Sequence, residues 1–225
     1  MNSAPCCLRN SVRAPVRLFL ASSNPGKLAE YRALAHAATL LLAGRRATME
    51  LELLPKFESL PAFEENAPTF AETAAGKALH YSRFFDGLVF ADDSGLVVPA
   101  LGGAPGVLSA RYAGPDASSA ERNAKLLHEL IGKSGGERAA YFVCAIALAQ
   151  HGRAKAIVTG RVDGEILQAP RGDRGFGYDP VFYVPELRKG FAEISAQEKN
   201  EHSHRGRAFR KLLAFLSYDS LIAQP

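Results

Sequence analysis

Two carboxylates stand side by side at Asp92 and Asp93, at the end of the apolar run Leu88-Val89-Phe90-Ala91. Ser94 and Gly95 follow, then a stretch holding Gly102, Gly103 and Gly106 with Pro99 and Pro105, and then a cation, Arg111. A short apolar run reads as a buried strand, and the end of a strand holds an acid rigidly. Glycine-rich backbone can approach a ligand closely before it turns. Acids for a metal or a water, bare backbone and a cation are the parts of a phosphate-handling site. Asp, Ser and Gly are also ordinary turn residues, so Asp92 to Gly95 alone fit a surface loop equally well.

Further groups bear on this choice. In Ser22-Ser23-Asn24-Pro25-Gly26-Lys27, Asn24 is suited to cap a helix and Pro25 to open it. Lys27 then falls in a first turn, where free N–H groups and the helix dipole favour an anion. A lysine there opposes the dipole unless a polyanion joins it; a solvated lysine is the alternative. The segment is no Walker loop, because Leu28 stands where the Mg-binding hydroxyl would be. Glu64 and Glu65 precede a helix as either a solvated pair or metal ligands. Phe176, Gly177, Tyr178 and Asp179 place two aromatics at i and i+2, on one side of an extended segment, where they could stack on a base or fill a core. His202 and His204 have no third metal ligand nearby in sequence, which favours polar contacts over a metal.

The elements that must position these groups follow from periodicity and capping. Val16 to Ala21 reads as a strand, followed by a helix from Pro25 to Leu34–Ala38. A second strand is expected over Thr48 to Leu54 and a helix over Thr69 to Phe85. Ser118 to Ile131 reads as a helix closed by Gly132 to Gly136. Arg138 to Ala149 and Lys155 to Ile166 read as an antiparallel hairpin turning at His151-Gly152. A final helix, capped by Ser203, starts at His204 and Arg205 and runs to about Tyr218.

The chain has 225 residues, enough for one large domain with an ample core. Its net charge of +4 suits an anion-binding cleft and falls short of a nucleic-acid-binding signature. The three cysteines, Cys6, Cys7 and Cys144, show no paired spacing, which points to a reducing, cytoplasmic setting. No apolar run is long enough to span a membrane. Residues 1–15 are expected to be a disordered extension, although their arginines faintly resemble a transit peptide. Residues 16–225 are expected to form the functional domain.

Six motifs now occur in one order: Ser22 to Lys27, Phe90-Ala-Asp-Asp-Ser-Gly-Leu96, Gly102-Gly-Ala-Pro-Gly106, Ser109-Ala-Arg-Tyr112, Phe176-Gly-Tyr-Asp-Pro180 and Ser203-His-Arg205. Together they closely resemble the inosine/xanthosine triphosphate pyrophosphatase family, from about Val16 to Leu216. The resemblance implies an α/β fold of two lobes around a long mixed sheet, with a nucleotide cleft between them. It also implies a homodimer, Mg²⁺ dependence, and hydrolysis of ITP, dITP or XTP to monophosphate and pyrophosphate. By the same resemblance, Ser22, Ser23, Asn24, Pro25, Gly26 and Lys27 hold the triphosphate, with Lys77 nearby. Glu65 and Asp93 bind Mg²⁺, Asp93 is the general base, and Ser94 touches the nucleotide. Phe176, Gly177, Tyr178, Asp179, Lys199, His204 and Arg205 serve the base and sugar. The chain departs from the pattern at Ser22-Ser23, where Thr-Gly is common, and at Tyr178, where some relatives carry Trp. Two other classes remain open from the residues: a nucleotide-binding regulator without turnover, and a nucleic-acid-binding module built on the basic last helix. The paired acids argue against the first and the modest charge against the second.

Overall fold

The computed structural model describes residues 15–38, 40–42 and 45–218. Apart from Pro15, the expected extension lies outside the described residues, as do Cys6 and Cys7. The fold is α/β. Strand β1 (Val16–Leu20) is followed by helix α1 (Pro25–Ala37), a small hairpin of β2 (Leu40–Leu42) and β3 (Arg45–Ala47), and β4 (Met49–Leu53). Helix α2 (Phe70–Tyr81), β5 (Leu88–Val97), α3 (Ser119–Glu129) and the long strands β6 (Ala139–Gln150) and β7 (Arg153–Ile166) come next. Short strands β8 (Phe182–Val184) and β9 (Lys189–Gly190) precede α4 (Ala196–His202) and α5 (His204–Tyr218).

The main sheet has the order β4-β1-β5-β6-β7-β8-β9. The first three strands are parallel and the rest antiparallel, so the direction changes at β5. Apolar side chains cover both faces. Leu18, Leu20, Phe90, Cys144 and Ile146 pack against Tyr31 of α1 and Phe209 and Leu212 of α5. Phe19, Val89, Ala91, Ala145 and Ala147 pack against Ala74, Ala78 and Tyr81 of α2. A third cluster joins Leu126 and Leu130 of α3 to Phe142, Val162, Phe182 and Phe191. Helix α5 lies directly on the backbone of β7: a Cβ at Gly160 would sit 2.2 Å from the His204 carbonyl oxygen and 2.5 Å from the Ala208 nitrogen.

Two boundaries differ from expectation by more than two residues. Helix α2 stops at Tyr81 rather than Phe85, because the chain turns at Ser82 and delivers the Phe85 ring to Phe19, 4.4 Å between centroids. Strand β5 does not end at Ala91 but runs on to Val97, paired with β6 from Val89↔Ala149 to Val97↔Tyr141. Asp92 and Asp93 are therefore mid-strand residues, and alternation sends them to opposite faces. Helix α4 was not anticipated. Among the described residues, no helix is long and apolar enough to cross a membrane.

Candidate active site

Strand β1 pairs with β5 only as far as Leu20↔Phe90, with one more bond from the Ala21 amide to the Phe90 carbonyl. Among the described residues no strand then pairs with this edge of β5 until Val97 bridges Pro105, and Asp92, Asp93 and Ser94 lie in the gap. A crevice at the carboxyl ends of parallel strands, where the strand order switches, is the usual ligand position in α/β sheets. Here it is a cavity of about 430 Å³. All the site residues expected from sequence line it except Pro25 and Gly26. Gly26 instead faces the Phe176 ring, which a Cβ would approach to 2.8 Å.

The cavity carries charge. Asn24 caps α1, its Oδ1 accepting from the Lys27 amide at 3.1 Å. The Lys27 ammonium pairs with Asp92 Oδ1 at 3.0 Å, and that of Lys77, from α2, with Glu65 Oε1 at 2.8 Å. Both ammoniums lie 3.5 Å from the Asp92 carbonyl oxygen. Burial opposes charge on Asp92, but Lys27, Arg205 and Lys77 outweigh it and hold its pKa low. Burial likewise opposes charge on Lys77, and Glu65 more than restores it.

Asp93 behaves differently. Its carboxylate has no hydrogen-bond or ion-pair partner among the described residues. Burial, assisted by Asp92 and Glu65 and only partly offset by Lys27 and Lys77, raises its pKa from 3.8 to about 6. An under-compensated acid beside a glutamate whose Oε2 also has no partner among the described residues fits a hard dication. Mg²⁺ takes oxygen ligands and needs only one or two carboxylates, so Glu65 and Asp93 suit it.

The raised pKa has a stability consequence. Between about pH 4 and 6 the folded metal-free protein binds more protons at Asp93 than the unfolded chain does, so this contribution to stability falls as pH rises. Above pH 6 the loss is complete, about 3 kcal/mol at 1.36 kcal/mol per pKa unit. Asp93→Asn should remove this component, visible as the difference between wild-type and variant melting curves across that range. At neutral pH, Mg²⁺ should raise the Tm of the wild type far more than that of Asp93→Asn. Equal Mg²⁺ effects on both would remove Asp93 from the metal site.

The groups around Phe176 are also densely ion-paired. Lys199, from α4, pairs with Glu30 Oε1 at 2.6 Å and closely with Asp179, which accepts from the Phe176 amide at 2.8 Å. Arg205 pairs closely with Glu30 Oε2, donates to Ser94 Oγ at 2.9 Å, and holds Nε 3.7 Å from Asp92 Oδ2. Glu30 was not singled out in the sequence. Its only local signal is its position one turn beyond Lys27 on α1. The His204 ring stacks on Phe142, 4.6 Å between centroids and 9° between planes. Burial, with Arg205 and Lys199 nearby, keeps His204 neutral. Among the described residues no group of three or more His, Cys, Asp or Glu could hold a metal, so the His-x-His pair forms no such cluster.

The extended presentation of Phe176 and Tyr178 does not hold. Gly175 and Gly177 have φ of 75° and 65°, which coils the segment and sends the two rings different ways. Tyr178 turns into the third cluster, 4 % exposed, its hydroxyl donating to the Ser109 carbonyl at 2.9 Å. Phe176 stays partly open, with the Lys199 ammonium 4.8 Å and the Arg205 guanidinium 5.4 Å from its centroid. The cations of α5 beyond the site are engaged locally: Arg207 with the Arg161 carbonyl, Arg210 with those of Asn200 and Glu201, Lys211 with that of Thr159. Cys144 is buried as expected, though its thiol lies 3.9 Å from Asp92 Oδ2 as well as among apolar side chains.

Residues 18–215 match the Ham1 family. The chain belongs to this family. It is 49 % identical over 195 residues to the dITP/XTP pyrophosphatase of Geobacillus kaustophilus, covering 87 % of this chain and 91 % of the relative. It is also 49 % identical over 205 residues to the dITP/XTP pyrophosphatase of Gloeobacter violaceus, covering 91 % and 96 %. The solved HAM1 protein of Coxiella burnetii superposes with a TM-score of 0.77 at 41 % identity, over 91 % of this chain and all of that one.

Proposed function

We propose that this Ham1-family protein is a pyrophosphatase that hydrolyses non-standard purine nucleoside triphosphates (ITP, dITP and XTP) to the monophosphate and pyrophosphate, with Mg²⁺ held by Glu65 and Asp93. The observation that carries the reading is the uncompensated Asp93 carboxylate in a cavity lined by Lys27, Lys77, Lys199 and Arg205 and by the partly open ring of Phe176. A nucleoside triphosphate is a polyanion joined to a planar base, and this lining suits it.

In this reading Lys27, Lys77 and the α1 N-terminus neutralise and orient the phosphates. Water attacks the α-phosphorus, the bond to the bridging oxygen breaks, and pyrophosphate leaves. Asp93 takes the water's proton at its carboxylate. In the metal-free site burial raises its pKa to about 6; Mg²⁺ held there would favour the charged carboxylate and lower that value. Bound Mg²⁺ supplies polarisation of the phosphoryl oxygens and a more acidic water. Phe176 offers the base a ring, while Lys199 and Asp179 shape the loop behind it. The working form is read as a homodimer in the cytoplasm, on the resemblance alone, and sedimentation at micromolar concentration tests the dimer.

The deciding assay follows pyrophosphate and phosphate release separately across ITP, dITP, XTP, GTP and ATP, with and without Mg²⁺. Pyrophosphate from the first three, dependent on Mg²⁺, is expected; intact nucleotides throughout would favour a non-hydrolysing binder. Lys27→Ala should weaken triphosphate binding by about tenfold or more, and monophosphate binding far less, since the ammonium meets the outer phosphates. Calorimetry that returned equal losses for ITP and IMP would place Lys27 elsewhere.

A further inference from the structure

Five cations line the cavity: Lys27, Lys77, Arg122, Lys199 and Arg205. Four of them are paired with acids, as described above. Arg122 is the exception, forming no ion pair among the described residues. It stands on α3, a helix from which the sequence reading drew no site residue. Its Nη1 donates to the carbonyls of Ala110 at 3.0 Å and Ala117 at 2.5 Å, and its Nη2 to Ser119 Oγ at 2.9 Å. A guanidinium has five N–H groups. The Nε–H and one Nη2 hydrogen therefore keep no partner among the described residues and remain available to a ligand.

Its surroundings place Arg122 by the Phe176 loop. The next residue, Asn123, donates from Nδ2 to the Gly177 carbonyl at 3.1 Å, tying the start of α3 to the loop that carries Phe176. Ser109, beside Ala110, takes the Tyr178 hydroxyl. Ser109, Ala110, Gly177 and Tyr178 all line the cavity with Arg122. The free cation is thus tied to the loop that carries Phe176, whereas Lys27 and Lys77 converge on Asp92.

Purines differ there at C2. Hypoxanthine carries only hydrogen, guanine an amino donor, and xanthine an oxygen. Xanthine, flanked by two carbonyls, also loses a ring proton near neutral pH, so its C2 edge becomes anionic. We propose that Arg122 is a specificity-determining residue that reads this edge, favouring XTP through a charge-assisted hydrogen bond and disfavouring the donor of guanine. The inference rests on the reading of the cavity as a purine triphosphate site. It names what that reading lacked, a group acting at position 2.

The test compares kcat/KM for XTP, ITP and GTP in the wild type, Arg122→Gln and Arg122→Lys, alongside calorimetric binding of XMP and IMP. Arg122→Gln should lower the XTP/ITP ratio by about tenfold, the value of a charge-assisted hydrogen bond. The XMP/IMP affinity ratio should fall in parallel and the GTP/ITP ratio should rise. Arg122→Lys, which keeps the charge, should recover part of the XTP preference. Equal losses on XTP and ITP, or unchanged ratios, would overturn the inference and leave Arg122 as a brace for Ala110 and Ala117. A wild type that binds neither monophosphate and hydrolyses neither triphosphate would overturn the purine-site reading itself, and the inference with it.

Discussion

Asp93→Asn should lower kcat for ITP by about three orders of magnitude, in the middle of the range for losing a general base. The substitution is nearly isosteric, yet it removes both the proton acceptor and the charge available to a metal. The fold should survive, because the carboxylate makes no hydrogen bond or ion pair among the described residues that an amide would break. The variant should even melt at equal or higher temperature than the wild type in metal-free buffer at neutral pH, since burial there opposes the charge on Asp93. Loss of activity with retained or raised Tm is the pattern expected of a group held ready for chemistry. Wild-type turnover in Asp93→Asn with Mg²⁺ present would falsify the assignment.

Arg205→Ala should have the largest effect on stability, about 3–5 kcal/mol by denaturant titration, the usual cost of breaking a buried ion pair from one side. Glu30 and Asp92 would both lose a neutralising partner, and both are carboxylates kept charged against burial by these cations. Glu30→Gln added to Arg205→Ala should recover part of the loss, because it removes one orphaned charge. The resemblance puts the same residue at the base and sugar, and selection there for the 6-keto oxygen of inosine would rest on the ground that adenine leaves its charge unpaired. That ground is gone: Glu30 and Asp92 pair it before any base arrives. If Arg205 still contacts the base, ITP efficiency should fall further than ATP efficiency in the variant. Equal falls would assign it to phosphate binding or to structure.

What could be read from sequence was mostly local. Asn24 and Pro25 start α1 where the capping rule puts the start, and Ser118 with Glu121 forms the capping box of α3. The β6–β7 hairpin follows from alternation around His151-Gly152. What escaped depends on groups far apart in the chain. Glu30 lies 169 residues from Lys199 and 175 from Arg205, so nothing in its own neighbourhood marks it. Strand β5 looked as if it should stop before two aspartates, since an isolated buried carboxylate is costly. It continues because Lys27, Lys77 and Arg205 converge on Asp92 from three different helices. Tyr178 misled for the opposite reason: a periodicity rule for extended chain was applied where two glycines with positive φ bend it.

The bare backbone at Gly160 acts as a levelling stop for α5. It fixes how deeply the helix's first turn sinks toward the sheet, and so the height at which His204 and Arg205 reach the cavity. A single methyl there would lift that turn like a shim. Arg205 would then be drawn away from Glu30 and Ser94 with no cavity-lining residue altered. The setting of Arg205 in this chain can therefore drift through a position that does not line the cavity, and a mutational survey confined to the cavity wall would pass over it.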